Sequence, residues 1–483
     1  MKPANLVLIL SDEHNKRIAG CYGHPMVQTP NLDRLAARGT RFSSAYTNCP
    51  ICVPARAALA TGQYVHRIRY WDNAIAYDGR VPSWGHRLRD QGYRVTAIGK
   101  LHYVDSDPQR NGFDEEILPM HIVNGVGDLL GLIRDELPRR PGSARLGPEA
   151  GPGESDYTRY DREVTAAAVH WLENAPHDRD RPWALFVGFV SPHFPLIAPP
   201  RFYHLYPEEQ VPWPTQYDPG ERPRHPFLDA LRKCLCYDEA FDPPMVRRAI
   251  AAYFGLVSFL DENIGQILRA LEETGLAQST RVIYTSDHGD NLGARGLWGK
   301  STMYEESAGI PLLLAGPDVP AAAVCDTPVT LVDLFPTAIQ CLGARADPRD
   351  RELPGVSLLE IARGHRPERT ILSEYHAAGA VCGAFMIRRG KWKYVHYVGL
   401  PPMLFDLEAD PCELQDLGRD ARYAPVLGEC EAALRSVVNP EAAQRQAFED
   451  QRALIARHGG REAILGRGTF RYTPAPGTQP LYY

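Results

Sequence analysis

The stretch Asn5 to Glu13, NLVLILSDE, decides how the chain is read. Five aliphatic residues in a row, Leu6 to Leu10, leave no polar face, which is the pattern of a strand buried on both sides rather than one half exposed to water. Working outward, segments of similar texture alternate with helical patterns. TPNLDRLAARG (29 to 39) is followed by RFSSAYT (41 to 47), a helix after Pro54, then PSWGHRLRDQG (82 to 92) and YRVTAIG (93 to 99). Strand and helix in alternation predict an α/β domain whose mostly parallel central sheet is sandwiched by helices. Two further buried strands follow, WALFVGFV (183 to 190) and RVIYTS (281 to 286). Between them, residues 243 to 275 carry apolar positions at helical spacing, with Gly275 as the stop.

The 483 residues are more than one usual domain needs. After residue 368 the texture changes to short strands, TILSEY, AFMIRRGKWKYVHY and MLFDLEADP, then a helix near 423 to 436. This predicts a large α/β domain over 1–367 and a small antiparallel sheet with one helix over 368–440. A helix and extended arm would fill 441–483, the arm lying over another surface such as a second subunit in a homo-oligomer. Two Pro-, Gly- and Arg-rich regions, 105 to 160 and 199 to 240, read as long surface excursions of the kind that select substrates.

Composition excludes several classes. A formal net charge of -6 argues against a nucleic-acid binder held by phosphate contacts. No segment reaches the ~18 apolar residues of a membrane span, and the N-terminal run is too short for a signal peptide core. The ten cysteines show no repeating framework, and CPIC (49 to 52) and CLC (234 to 236) lack a second Cys/His pair at zinc-finger spacing. A soluble, cytoplasmic protein is the expectation.

Asp12 and Glu13 directly follow the first strand, and Asp287 and His288 directly follow VIYTS. Ligands gather at the carboxyl ends of strands in an open parallel sheet, so these two clusters can meet there. Hard oxygen donors suit Ca²⁺, Mg²⁺ or Mn²⁺ better than zinc. Taken singly, each reads more readily as a solvated loop acid or a helix cap, and it is the pair at equivalent strand ends that points to a metal. A second constellation is CVPARAALATG, Cys52 to Gly62. Pro54 suits a first helical turn, placing Cys52 at or near the N-cap, where the dipole favours an anion. A thiol there has a lowered pKa and is a nucleophile in its own right, unless it is simply a buried cysteine.

Cys52-Val53-Pro54-Ala55-Arg56 with Leu59 and Thr61-Gly62 resembles the signature of the type I sulfatases of the alkaline phosphatase superfamily, C-x-P-x-R with a trailing T-G. Ala55 stands where serine is more frequent. The same order of motifs continues through GKLH (99 to 102), SPHFP (191 to 195) and SDHGDNLGARGLWGK (286 to 300). Asp287-His288 in place of Asp-Asn, YWDN (70 to 73), EYHAAGA (374 to 380) and FMIRRGKWKYVHY (385 to 397) are similar to choline sulfatases and phosphonate monoester hydrolases. The tryptophan-rich stretch of a quaternary-ammonium cage is absent after GFDE, and Ala378 stands where choline sulfatases carry an acid.

The resemblance implies that a formylglycine-generating enzyme oxidises Cys52 to formylglycine, whose hydrate attacks sulfur. It implies one divalent metal, Ca²⁺ first and Mn²⁺ or Mg²⁺ as alternatives, held by Asp12, Asp287, His288 and residue 52, with Glu13 as a further donor. Arg56 would stabilise charge, Lys100 and Lys300 would contact the transferred group or leaving oxygen, and His193 with Lys300 would protonate the leaving group. His102 would act as base on the remaining hydroxyl, and Asn73 would contact substrate. The implied activity is hydrolysis of a small alkyl or aryl sulfate. A phosphonate monoester or phosphodiester hydrolase and a non-catalytic anion binder are the alternatives.

Overall fold

The computed structural model describes residues 2–174, 181–239, 241–480 and 482. Its centre is an eight-stranded sheet: β1 (Asn5–Asp12), β2 (Gly39–Phe42), β3 (Arg94–Lys100), β4 (Glu115–Met120), β5 (Trp183–Pro192), β6 (Thr280–Ser286), β7 (Leu312–Ala315) and β8 (Ala323–Cys325). The spatial order is β8-β2-β7-β6-β1-β5-β3-β4, and only β7 runs against the others. Every residue of β1 is buried. Leu6, Leu8 and Leu10 enter one hydrophobic cluster and Val7 and Ile9 the other, so the sheet carries a core on each face. Each such side chain contributes about 1.5–3 kcal/mol of transfer free energy, which explains the aliphatic run.

The helices covering the sheet begin with α1 (Pro30–Ala37), α2 (Cys52–Thr61), α3 (Asp156–Asn174) and α4 (Pro243–Glu273). All ten residues of α2 are buried, and four of them are alanines, so the helix fits inside the core. It ends at Gly62, whose φ of 67° and close approach to Phe335 both require glycine. Helix α4 starts with an Asp242 cap on the Met245 N–H at 2.8 Å and two prolines. It ends before Gly275, which takes φ 74° as the stop signal requires.

A separate antiparallel sheet contains β9 (Ile371–Tyr375), β10 (Ala384–Arg389), β11 (Trp392–Tyr397) and β12 (Met403–Asp406) in that order. Helix α5 (Ala424–Val437) packs on it through Cys430 and Leu434. Helices α6 (Pro440–Arg457) and α7 (Arg461–Arg467) follow. No helix among the described residues is long and apolar enough to cross a membrane, and all ten cysteines are free.

One expectation changes, and the surface beneath the arm is placed. The region 105 to 160 is not simply a surface excursion: Leu129, Leu130, Leu132 and Ile133 are buried and pack with Ile464 of α7. The C-terminal arm lies over the pocket of its own chain, where Arg471, Tyr472 and Thr473 line the wall.

Candidate active site

The carboxyl ends of β1, β3, β5 and β6 and the N-terminus of α2 converge on one pocket of about 110 Å³. Cys52 is the first residue of α2 and is 1% exposed. Its Sγ lies 3.5 Å from Asp12 Oδ1, 3.2 Å from His288 Nε2 and 3.3 Å from Lys300 Nζ. The lowered thiol pKa expected at a helix N-terminus is overturned. Burial first, then the Asp12 charge, push the Cys52 thiol up to about 12, and the nearby Lys300 charge offsets only part of this.

Arg56, one turn along α2, points back beneath the site. Its Nε donates to Asp287 Oδ2 at 2.8 Å, Nη2 to Asp12 Oδ2 at 3.1 Å and Nη1 to the Lys100 carbonyl at 2.8 Å. Lys100 Nζ pairs with the same Asp12 oxygen at 2.6 Å. Burial alone would raise the Asp12 pKa, but the Lys100 and Arg56 charges hold its carboxyl well below the usual range. The cations thus occupy the Oδ2 atoms, and the two Oδ1 atoms turn towards His288. Nε2 of His288 lies 3.8 Å from Asp12 Oδ1 and 3.7 Å from Asp287 Oδ1. Its Nδ1 donates to the Gly289 carbonyl at 3.0 Å, which leaves the Nε2 lone pair facing the carboxylates.

Asp12, Cys52, Asp287 and His288 bring their donor atoms within 4.8 Å of one another. Two carboxylate oxygens and one imidazole nitrogen around a shared point fit a divalent cation. Glu13 belongs to a neighbouring group with Asp12 and His193. Its Oε2 is 3.3 Å from both Lys300 Nζ and His193 Nε2, and burial raises its pKa well above the ordinary value. Among the described residues Glu13 Oε1 has no hydrogen-bond partner, so it remains a free donor at the edge of the cluster.

Lys300 Nζ donates to His193 Nε2 at 2.7 Å, and His193 Nδ1 donates to the Phe194 carbonyl at 2.6 Å. Burial and the nearby Lys300 charge keep His193 neutral, lowering its pKa well below 6.5. His102 is neutral for the same reasons, buried beside Lys100 and Arg56. Its Nε2 meets Thr473 Oγ1 at 3.0 Å, and among the described residues its Nδ1 has no partner. Asn73 lines the pocket, but its Oδ1 accepts the Val53 N–H at 3.2 Å, so the amide oxygen caps α2.

All eleven residues singled out from the sequence therefore lie in or against one site. Several wall residues were not singled out: Asp128, Arg140, Tyr157, Phe194, Arg471, Tyr472 and Thr473. The aromatic and cationic tail GRGTFRYTP was the signal for the last three, but it has no period that points inward. Asp161 was also missed. It accepts the Val190 and Ser191 N–H groups at 2.9 and 2.8 Å and so fixes the strand end that carries His193.

The sulfatase family model matches residues 4–344, and the model for the C-terminal part of N-sulphoglucosamine sulphohydrolase matches residues 293–439. The chain is 35% identical over 439 residues to a choline-sulfatase of Rhizobium meliloti, covering 86% of this chain and 83% of the relative. It is 29% identical over 459 residues to arylsulfatase K of Bos taurus, covering 90% and 82%. The solved phosphonate monoester hydrolase of Agrobacterium radiobacter shares the fold, with a TM-score of 0.71 at 24% identity over 90% of this chain and 95% of that one. With residues 4–344 matched by the family model and most of its length shared with a choline-sulfatase, the chain belongs to the sulfatase family, the sulfuric ester hydrolases.

Proposed function

We propose that the protein hydrolyses a small sulfate ester through a formylglycine made from Cys52, with a divalent cation held by Asp12, Asp287, His288 and residue 52. The observation that carries this reading is the placement of Cys52 Sγ. It marks where the oxygens of a hydrated aldehyde would lie, within 3.5 Å of Asp12, His288 and Lys300 together. When bound, the cation supplies positive charge that favours an alkoxide and draws charge from the sulfate oxygens.

This chain's residues then have distinct tasks. One hydroxyl of the hydrate of residue 52 loses its proton to solvent and attacks sulfur as the alkoxide, the new bond to sulfur forming as the bond from sulfur to the alcohol breaks with its electron pair on the alcohol oxygen. That oxygen takes a proton from Lys300, which His193 orients through the 2.7 Å contact. Lys100 and the N-terminus of α2 stabilise the charge on the transferred group. The second hydroxyl of residue 52 gives its proton to the free Nδ1 of His102. The carbonyl re-forms, the bond to the sulfate oxygen breaks, and sulfate leaves without water attacking sulfur.

The test combines two measurements. The tryptic peptide Phe42–Arg56, from protein made with a formylglycine-generating enzyme, should carry the aldehyde or its hydrate at residue 52. That protein should then rank sulfate esters above phosphonate monoesters and phosphodiesters of the same leaving group in kcat/KM. A thiol under those conditions overturns the nucleophile. Phosphonates ranked first would make the protein a phosphonate monoester hydrolase using the same residues.

A further inference from the structure

The outer wall of the pocket holds two arginines that the reaction does not use. Arg140 Nη2 donates to Asp128 Oδ2 at 2.5 Å and to Thr469 Oγ1 at 3.3 Å. Arg471 Nη1 pairs with Glu149, and the Arg471 side chain is only 6% exposed. Among the described residues Arg140 Nη1 and Arg471 Nε and Nη2 are buried without a hydrogen-bond partner. Both arginines line the main pocket, and both also line a small chamber that continues from it beside Ser143 and Phe194. Buried guanidinium N–H groups are normally satisfied, and their fork matches a carboxylate or sulfate.

The surroundings decide the charge of what enters. Tyr157, Phe194 and Tyr472 pack against one another, with ring centroids 5.1 and 6.3 Å apart, and give the pocket apolar sides. Asp128, the carboxylate on this wall, is engaged by Arg140, and Arg471 engages Glu149. A cationic alcohol such as a quaternary ammonium would meet open N–H donors and no unpaired acid. An anionic one would complete both guanidinium groups.

We propose that the wall formed by Arg140 and the C-terminal arm residue Arg471 is an anion subsite, and that the substrate is a sulfate ester whose alcohol carries a second anionic group. The subsite rests on the sulfatase reading for the reacting bond, but on separate residues. The second anion is a carboxylate or a further sulfate, and the two share this recognition chemistry.

The test uses the matured full-length protein and sulfate esters of one carbon skeleton that differ in a remote carboxylate, second sulfate, amide or trimethylammonium. The carboxylate or disulfate ester should exceed the amide by about 10-fold or more in kcat/KM, chiefly through KM, with the cation lowest. Whichever anion ranks first identifies its source. In Arg471→Met and Arg140→Met the preference for anion over amide should collapse towards unity. Binding of the unsulfated carboxylate to the unaltered protein, read by calorimetry, needs no variant and separates the two readings. Carboxylate binding without turnover of any ester would keep the subsite and overturn the reaction. Turnover of the amide ester without carboxylate binding, or with the cation ranked first, would overturn the subsite.

Discussion

The inner and outer ends of the pocket are built on different principles. At the inner end Asp12, Lys100 and Asp287 sit at or next to strand ends and Arg56 on the second turn of α2, and their partners are already in place: Arg56 and Lys100 on the Oδ2 atoms, His288 beside the Oδ1 atoms. At the outer end the wall comes from a loop near residue 140 and an arm more than 300 positions later, and N–H donors are left open. The inner end thus fits the part shared by every sulfate ester, whose charge and shape do not vary. The outer end meets the alcohol, which does vary, and loops can change there without disturbing the sheet.

The sharpest way to break this contrast is to remove the inner nucleophile. Cys52→Ala in protein matured in parallel should lower kcat/KM by about 10⁴-fold or more with little change in Tm, since the other inner groups cannot replace a covalent nucleophile. Residual activity within about 100-fold of the parent would show that residue 52 is not the attacking group.

Arg56 tests whether the inner end also holds itself together. Arg56→Met keeps the bulk but leaves the buried carboxylates of Asp12 and Asp287 without their shared counter-charge. Breaking a buried pair from one side costs about 3–5 kcal/mol. Urea unfolding at neutral pH should show a loss of that size, and a loss below about 1 kcal/mol would mean that Lys100 alone neutralises the pair.

The same contrast explains what could be read in the sequence. Aliphatic runs such as Leu6 to Leu10 announce buried strands, and in a parallel sheet strand ends point one way, so Asp12, Lys100, His193 and Asp287 converge by topology. Arg140 and Arg471 sit in segments with no strand or helix period, and their meeting depends on how the arm folds back. The reading of 105 to 160 as a surface excursion failed for a related reason: its Pro and Gly mark turns, while the apolar residues around Leu129 to Ile133 bury against α7, a contact too distant in sequence for local pattern to show. Of the two readings of the Cys52 thiol, the buried cysteine holds, and sequence could not choose it because the helix dipole is visible there whereas burial is not.

His102 joins the two ends, and its pH behaviour sharpens the contrast. Burial, then Lys100 and Arg56, hold its pKa well below 6.5, so it is a neutral base at neutral pH and gains a proton only on acidification. For sulfate release, kcat should be flat above about pH 6.5 and fall towards acid. His102→Gln should lower kcat by about 100-fold or more and abolish that acid limb. An unchanged limb in the variant would assign it to another group. The same depressed pKa means that the unfolded chain takes up the proton first as pH falls below 6.5, so this residue's contribution to stability is lost on the acid side.

The smallest expected effect reaches the inner end from the outer. Thr473 is held by the Tyr157 hydroxyl, which donates to its carbonyl at 2.6 Å, and its Oγ1 lies 3.0 Å from His102 Nε2. For Nδ1 to serve as the base, Nε2 must carry the hydrogen and donate it to Thr473, so the arm sets the tautomer of a residue on the sheet side of the site. Thr473→Val keeps the shape and removes that acceptor. One neutral hydrogen bond of about 0.5–1.5 kcal/mol corresponds to about 2–10-fold in kcat. The protonated ring loses more from the missing acceptor than the neutral ring does, so the acid limb should also move to lower pH, with KM little changed. A lower Tm with kcat and the limb both in place would mean that Thr473 only anchors the arm, and the two ends of the pocket would then act independently.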